Sequence, residues 1–121
     1  MKVLFVCSRN RLRSPTAERV FFGLPGLEVR SGGTERDAEQ RVSRDDVEWA
    51  DLILVMERRH SRRLRELLHR NTVFPRVVSL DIPDEYEFMQ PELIALLEQK
   101  VTPFLQSAIN TARLEAQPEA M

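Results

Sequence analysis

The stretch Val3-Leu4-Phe5-Val6-Cys7-Ser8-Arg9-Asn10-Arg11-Leu12-Arg13-Ser14-Pro15 reads as three pieces joined without a gap. Four consecutive apolar residues of high strand propensity are the pattern of a strand buried on both faces. A polar loop follows, and Ser14-Pro15 marks a helix start, with Ser14 as N-cap and Pro15 at the first helical position. A strand that feeds a helix through a tight loop is the first half of a βα unit.

Outward from this segment the pattern repeats. The first helix is expected to reach about Phe22 and stop at Gly23. A second strand is expected over Leu27 to Ser31, closed by Gly32-Gly33, and Thr34 to Val42 reads as a polar loop. Ser43-Arg44-Asp45-Asp46 is an acidic form of the capping box and opens a short helical turn. Leu52 to Met56 is the third strand, and Glu57 to His69 a helix with Leu64, Leu67 and Leu68 inward. Val77 to Leu80 is the fourth strand, which feeds the loop Asp81 to Phe88. Pro91 opens a long helix, expected to kink at Pro103, with Leu93, Leu96, Leu97, Val101, Phe104 and Leu105 on its inner face. The expectation is an α/β fold, a three-layer sandwich with a four-stranded parallel sheet between helices. One domain is expected over 1–113, with 114–121 as a flexible C-terminal tail. Ligands of such sheets bind at the carboxyl ends of the strands, where both Cys7 and the Asp84 loop fall.

Composition narrows the function. The chain has 121 residues, 42% apolar and 31% charged, which suits one soluble domain. The apolar run at the N-terminus is too short for a signal peptide and is followed at once by Arg9, Arg11 and Arg13. No run reaches the length of a membrane span. The single cysteine allows no internal disulfide, which fits a cytoplasmic location, and Cys7, His60 and His69 lack the spacing of a metal site. The net charge of −1 divides into +5 up to Leu80 and −6 beyond it, so the Cys7 loop lies in the basic part, a field suited to an anionic substrate.

Cys7 and Arg13 stand five residues apart on a loop that can curl around a tetrahedral oxyanion. The backbone N–H groups of Ser8, Arg9, Asn10, Arg11, Leu12 and Ser14 would then surround it, aided by the helix dipole. Arg13 can grip two oxygens bidentately. A helix N-terminus beside arginines favours the thiolate, the form that attacks, and a Ser14 hydroxyl in reach could donate to the sulfur. Asn10 suits a left-handed position in the loop. Attack on phosphorus would give a phosphocysteine that water hydrolyses. Departure of an alkoxide or aryloxide needs a general acid. Asp84 is the first candidate, with Asp81, Glu85 and Glu87 as competitors. Arg9 and Arg11 belong either to the pocket mouth, favouring multiply charged substrates, or to a solvated rim. Trp49 reads as core packing. The run Arg58, Arg59, Arg62, Arg63, Arg65 and Arg70 reads as the solvated face of a helix rather than a nucleic-acid surface, and His60 and His69 on that helix carry no catalytic signal.

From Val3 to Glu18, V-L-F-V-C-S-R-N-R-L-R-S-P-T-A-E resembles the opening signature of the low-molecular-weight protein tyrosine phosphatase family. Ser31 to Thr34, Ala50 to Met56 and Pro83 to Tyr86 are similar to three further segments of that family. The resemblance implies Cys7 as nucleophile, Arg13 as phosphate clamp, Asn10 and Ser14 as loop organisers, Asp84 as acid and Tyr86 as an aromatic wall for the substrate. It implies no cofactor, a phosphorylated protein or small phosphate ester as substrate, and a monomer or weak dimer. Four departures stand out. Arg9 replaces the usual glycine, Leu12 replaces a second loop cysteine, Glu85 replaces a proline, and the stretch from Thr34 to Ser43 is shortened. An arsenate reductase relying on an external thiol and a non-catalytic module that captures a phosphorylated ligand are the alternative readings.

Overall fold

A computed structural model of the chain describes residues 1–68 and 71–116, with side chains described through 106. Eight elements follow one another: β1 (Lys2–Cys7), α1 (Arg13–Phe21), β2 (Glu28–Gly33), α2 (Arg44–Trp49), β3 (Leu52–Val55), α3 (Arg58–Leu67), β4 (Arg76–Ser79) and α4 (Pro91–Ala116). The four strands are parallel in the order β2-β1-β3-β4. The order reverses at β1, so the crossovers through α1 and α2 lie on opposite faces and open a crevice at the carboxyl ends of β1 and β3.

Alternation along the strands sorts the core into two halves. Val3, Phe5 and Cys7 of β1, with Leu52 and Leu54 of β3, face α1 and α4 and pack against Ala17, Phe21, Leu93, Leu97, Val101 and Leu105. Leu4, Val6, Ile53 and Val55 face the other way, onto Val47 of α2 and Leu64 of α3. Both halves are buried, which is why β1 and β3 are continuous apolar runs rather than alternating ones. The long helix α4 continues through the exposed Pro103, and Leu96 and Phe104 are only partly buried beside its four buried positions. The expected tail falls partly on α4, which runs to Ala116, and otherwise on 117–121, outside the described residues.

Several boundaries differ from the sequence reading for local reasons. The N-cap of α1 is Leu12, which offers no side-chain cap, and Ser14 lies inside the helix. The Ser14 hydroxyl is engaged by Cys7 and Asn10 instead, and Pro15 fits the first turn because N–H groups there have no intrahelical partner. Gly32 and Gly33 do not close β2 but belong to it, opposite Val6 and Cys7. α3 begins at Arg58 with Glu57 as its N-cap. The capping box at Ser43 is present, with the Asp46 carboxylate accepting from the Ser43 backbone N–H.

Gly33 shows how tightly this end of the sheet is built. A Cβ there would stand 2.6 Å from the Ser8 carbonyl oxygen, 2.6 Å from Ala38 Cβ and 3.0 Å from the Arg9 carbonyl carbon. Two of these are backbone atoms that cannot swing aside. Gly33→Ala is therefore expected to lower the unfolding free energy by about 1–3 kcal/mol and to displace the loop after β1. Urea unfolding measures the first effect and the amide shifts of Ser8 to Leu12 the second; an Ala variant with wild-type values of both would refute the close approach.

Candidate active site

The loop from Cys7 to Arg13 is held from outside by its carbonyls. Those of Cys7, Ser8 and Arg9 accept from the N–H groups of Thr34, Glu35 and Glu39 at 3.1, 2.9 and 2.9 Å. The N–H groups of Ser8 to Leu12 make no backbone hydrogen bond among the described residues, so the loop presents unpaired donors on its inner side, beside the N-terminus of α1. That is the arrangement in which backbone holds an anion.

Asn10 has φ 55°, the left-handed conformation that asparagine tolerates better than other residues with a side chain. Its Nδ2 donates to Ser14 Oγ and to Ser31 Oγ, both at 2.9 Å, and Ser31 donates to Glu18 at 2.6 Å. Ser14 Oγ lies 2.9 Å from Cys7 Sγ. With Asn10 donating into it, the Ser14 hydroxyl is left to direct its own proton at the sulfur. This network lies behind the loop: Asn10 and Ser14 are buried.

Arg13 is 2% exposed. Its Nη1 donates to Glu57 Oε1 at 2.5 Å and to the Ile82 carbonyl at 2.9 Å, and its Nε lies 3.7 Å from Asp84 Oδ1. The guanidinium is thus oriented from β3's end and from the loop after β4, with Nη2 outside these bonds. Burial opposes charge on Glu57, but hydrogen bonds from Arg13 and Arg59, with their charges, outweigh it and hold the carboxyl below its ordinary value. Glu57 is therefore the fixed counter-ion of Arg13.

Cys7, Ser8, Arg9, Arg11, Leu12, Arg13, Glu35, Arg59 and Asp84 line one cleft of about 500 Å³. Asp84 reaches it because its loop is pinned at both ends. Lys100 donates to the carbonyls of Leu80 and Asp81 at 2.8 and 3.3 Å, Ile82 is fully buried, and the Met89 N–H donates to Thr16 at 3.0 Å. Asp81 turns away, taking a hydrogen bond from Ser79 at 2.8 Å and facing Arg58. Glu85 and Glu87 are exposed outside the cleft lining. Tyr86 is not among the lining residues either; it is partly buried against the core of the α1–α4 face.

Arg9 and Arg11 are at the mouth, paired with Asp37 at 3.6 Å and Glu39 at 3.3 Å. These pairs are exposed and weak. Four participants are not assigned to the site from the sequence: Glu35, Glu57, Arg59 and His60. The reading of His60 as an exposed helix residue is corrected outright, for it is 1% exposed. Its Nδ1 accepts from the Glu57 N–H at 3.0 Å and its Nε2 lies 2.9 Å from Ser8 Oγ. Position 60 shares the inner face of α3 with Leu64, and that i, i+4 relation was the available signal. Glu35 sits in a polar loop with nothing to distinguish it.

Burial above all, then the charges of Arg13 and Arg59, lower the pKa of His60 to about 4, while Glu57 and Asp84 pull the other way. The native state therefore favours the neutral ring. The stability this contributes is full above the unfolded value near 6.5 and is lost as pH falls through the folded value. Between pH 7 and pH 4 the wild type is expected to lose about 3 kcal/mol more than a His60→Asn variant, read by urea unfolding at each pH. Parallel curves for the two proteins would show that His60 is not held neutral.

No family model matches the chain, and no curated protein matches its sequence. Solved structures do. The low-molecular-weight protein tyrosine phosphatase SP-PTP from Streptococcus pyogenes superposes with a TM-score of 0.74 at 18% identity, over 97% of this chain and 99% of that one. The tyrosine phosphatase Wzb from Escherichia coli K30, in complex with phosphate, gives 0.69 at 21% over 88% and 96%. The YwlE arginine phosphatase from Geobacillus stearothermophilus gives 0.64 at 22% over 98% and 99%. The chain has the three-layer fold of the low-molecular-weight protein tyrosine phosphatases.

Proposed function

We propose that this protein is a phosphatase that hydrolyses phosphate monoesters of the phosphotyrosine type through a phosphocysteine intermediate. The observation that carries the reading is one cleft lined at once by Cys7, Arg13 and Asp84, with Ser14 Oγ 2.9 Å from Cys7 Sγ. A phosphoryl group held by the loop N–H groups and Arg13 presents its phosphorus to the sulfur. Cys7 Sγ attacks as the P–O bond to the leaving group breaks, and Asp84 protonates the departing oxygen. Asp84, now a carboxylate, takes a proton from water as that water attacks the phosphocysteine, releasing inorganic phosphate and restoring the thiolate. Ser14 stabilises the sulfur in both steps, and Glu57 holds Arg13 in place throughout. Arg13 gains most where charge builds on the transferred group, so its grip is worth more in the transition state than in the ground state. No step calls for a cofactor or metal. The substrate is a phosphorylated protein or a small phosphate ester.

A second reading of the leaving group has its own support. Among the described residues no aromatic side chain lines the cleft, while the carboxylates of Glu35 and Asp84 do. A phosphoarginine side chain would place its guanidinium between those carboxylates and break a P–N bond by the same sulfur attack. One of the superposed structures is named an arginine phosphatase.

Phosphate release from an aryl phosphate at about pH 6 tests the chemistry. Cys7→Ser is expected to abolish turnover, and Asp84→Asn to slow it by about 10²–10⁴-fold. No turnover by reduced wild-type protein would reject the hydrolase reading. Phosphotyrosine and phosphoarginine peptides compared side by side decide the leaving group, and preference for the second peptide would move the assignment to arginine.

A further inference from the structure

His60 lies outside the cleft lining, yet both ring nitrogens are committed to groups that shape the site. A backbone N–H only donates, so Nδ1, 3.0 Å from the Glu57 nitrogen, accepts and carries no proton. The proton of the neutral ring is therefore on Nε2, 2.9 Å from Ser8 Oγ. His60 donates, Ser8 accepts, and the hydroxyl proton of Ser8 is left to point elsewhere. Ser8 Oγ has no other partner among the described residues. It follows Cys7 directly, is half-buried and lines the cleft, so the direction left to its proton is the cleft itself.

We propose that His60 is a positioning residue: as the Nε2–H tautomer, clamped between the Glu57 amide and Ser8, it fixes the Ser8 hydroxyl as a donor to an oxyanion seated over Cys7. The inference rests on the phosphatase reading for the identity of that oxyanion as a transferring phosphoryl group. A second proton on the ring would set Nδ1–H against the Glu57 N–H, two donors facing each other, and break the clamp. The charged groups that bear on the ring are Arg13 and Arg59, which oppose its protonation, and Glu57 and Asp84, which favour it. Ser8 thereby differs from the backbone donors of the loop, since a hydroxyl can rotate and needs an outside group to fix its sense. His60 also links the end of β3 to the loop after β1.

Two conservative replacements separate this role from helix capping. The Asn amide oxygen takes the place of Nδ1 on the Glu57 N–H and does not reach Ser8. The Gln amide nitrogen reaches the place of Nε2 and gives up the cap. Inorganic phosphate binding, followed by NMR titration, and turnover of an aryl phosphate are measured on the full chain. His60→Asn is expected to weaken phosphate binding and to lower kcat/KM by about tenfold, as Ser8→Ala does, the loss of one hydrogen bond to a charged group. His60→Gln recovers most of that loss, and the Ser8→Ala/His60→Asn double variant is no worse than either single one. Nitrogen shifts of His60 in the wild type report the Nε2–H tautomer. Wild-type phosphate affinity and kcat/KM in His60→Asn would overturn the proposal, as would multiplied losses in the double variant or an Nδ1–H tautomer. Coupled losses in phosphate binding with no turnover by any protein would leave the clamp standing and reject the hydrolase reading.

Discussion

A guanidinium buried to 2% exposure has to be compensated, because an unpaired charge in the interior is among the most destabilising features a fold can carry. Arg13 meets that demand with a carboxylate from the end of β3, a carbonyl from the loop after β4 and the nearby Asp84. The carboxylate comes from the β3–α3 junction, and the carbonyl and Asp84 both come from the loop after β4. The arginine therefore fixes the relative placement of three segments that share no local sequence, and the cleft is the space they leave at the point where the strand order reverses. The two core halves hold the sheet and helices together, but they do not determine how the loops above the sheet face one another.

A second set of constraints acts from behind the loop. The carbonyls of Cys7, Ser8 and Arg9 are drawn outward by the segment after β2, while Asn10 in its left-handed conformation ties the loop to Ser14 and Ser31. Pulling carbonyls outward turns N–H groups inward, so the anion-binding character of the loop follows from what surrounds it as much as from its own residues. Gly33 permits the approach, since nothing with a side chain fits between β2 and the Ser8 carbonyl. The stretch after Gly33 supplies the N–H groups that hold the loop carbonyls, and its acidic residues face the two arginines at the cleft mouth.

Much of this was legible in the sequence, and unevenly so. The strands declared themselves because burial on both faces demands unbroken apolar runs, and Val3–Val6 and Leu52–Val55 have no other plausible fate. Cys7, Arg13, Ser14 and Asn10 were legible because their spacing along one loop fixes their spacing in space. Asp84 could be placed on a loop but not separated from Asp81, since only the turn at Asp81, with φ 54°, sends one carboxylate toward the cleft and the other away. Glu57, Arg59 and His60 were hidden for a different reason. They come from α3 and its N-cap, in a run of arginines whose composition suggests a solvated face, and their approach to the loop depends on the β1–β3 pairing. A charged residue's role is decided by its distant neighbours, and periodicity reports only on the near ones. Tyr86, which the family resemblance implies as an aromatic wall, is partly buried against the core and is not among the residues lining the cleft.

The reach of Arg13 has a further consequence for how the molecule assembles. Its partners lie 44 and 69 residues away along the chain, and a parallel sheet can bring them close only after successive crossovers have closed. Contacts of such sequence separation form late, since each loop must lose its entropy before the contact repays it. The helices and the β1–β2 pair can form from shorter-range contacts while the cleft is still absent. A competent site therefore exists only in the completely folded chain, and nascent or partly opened forms carry Cys7 without the groups that surround it.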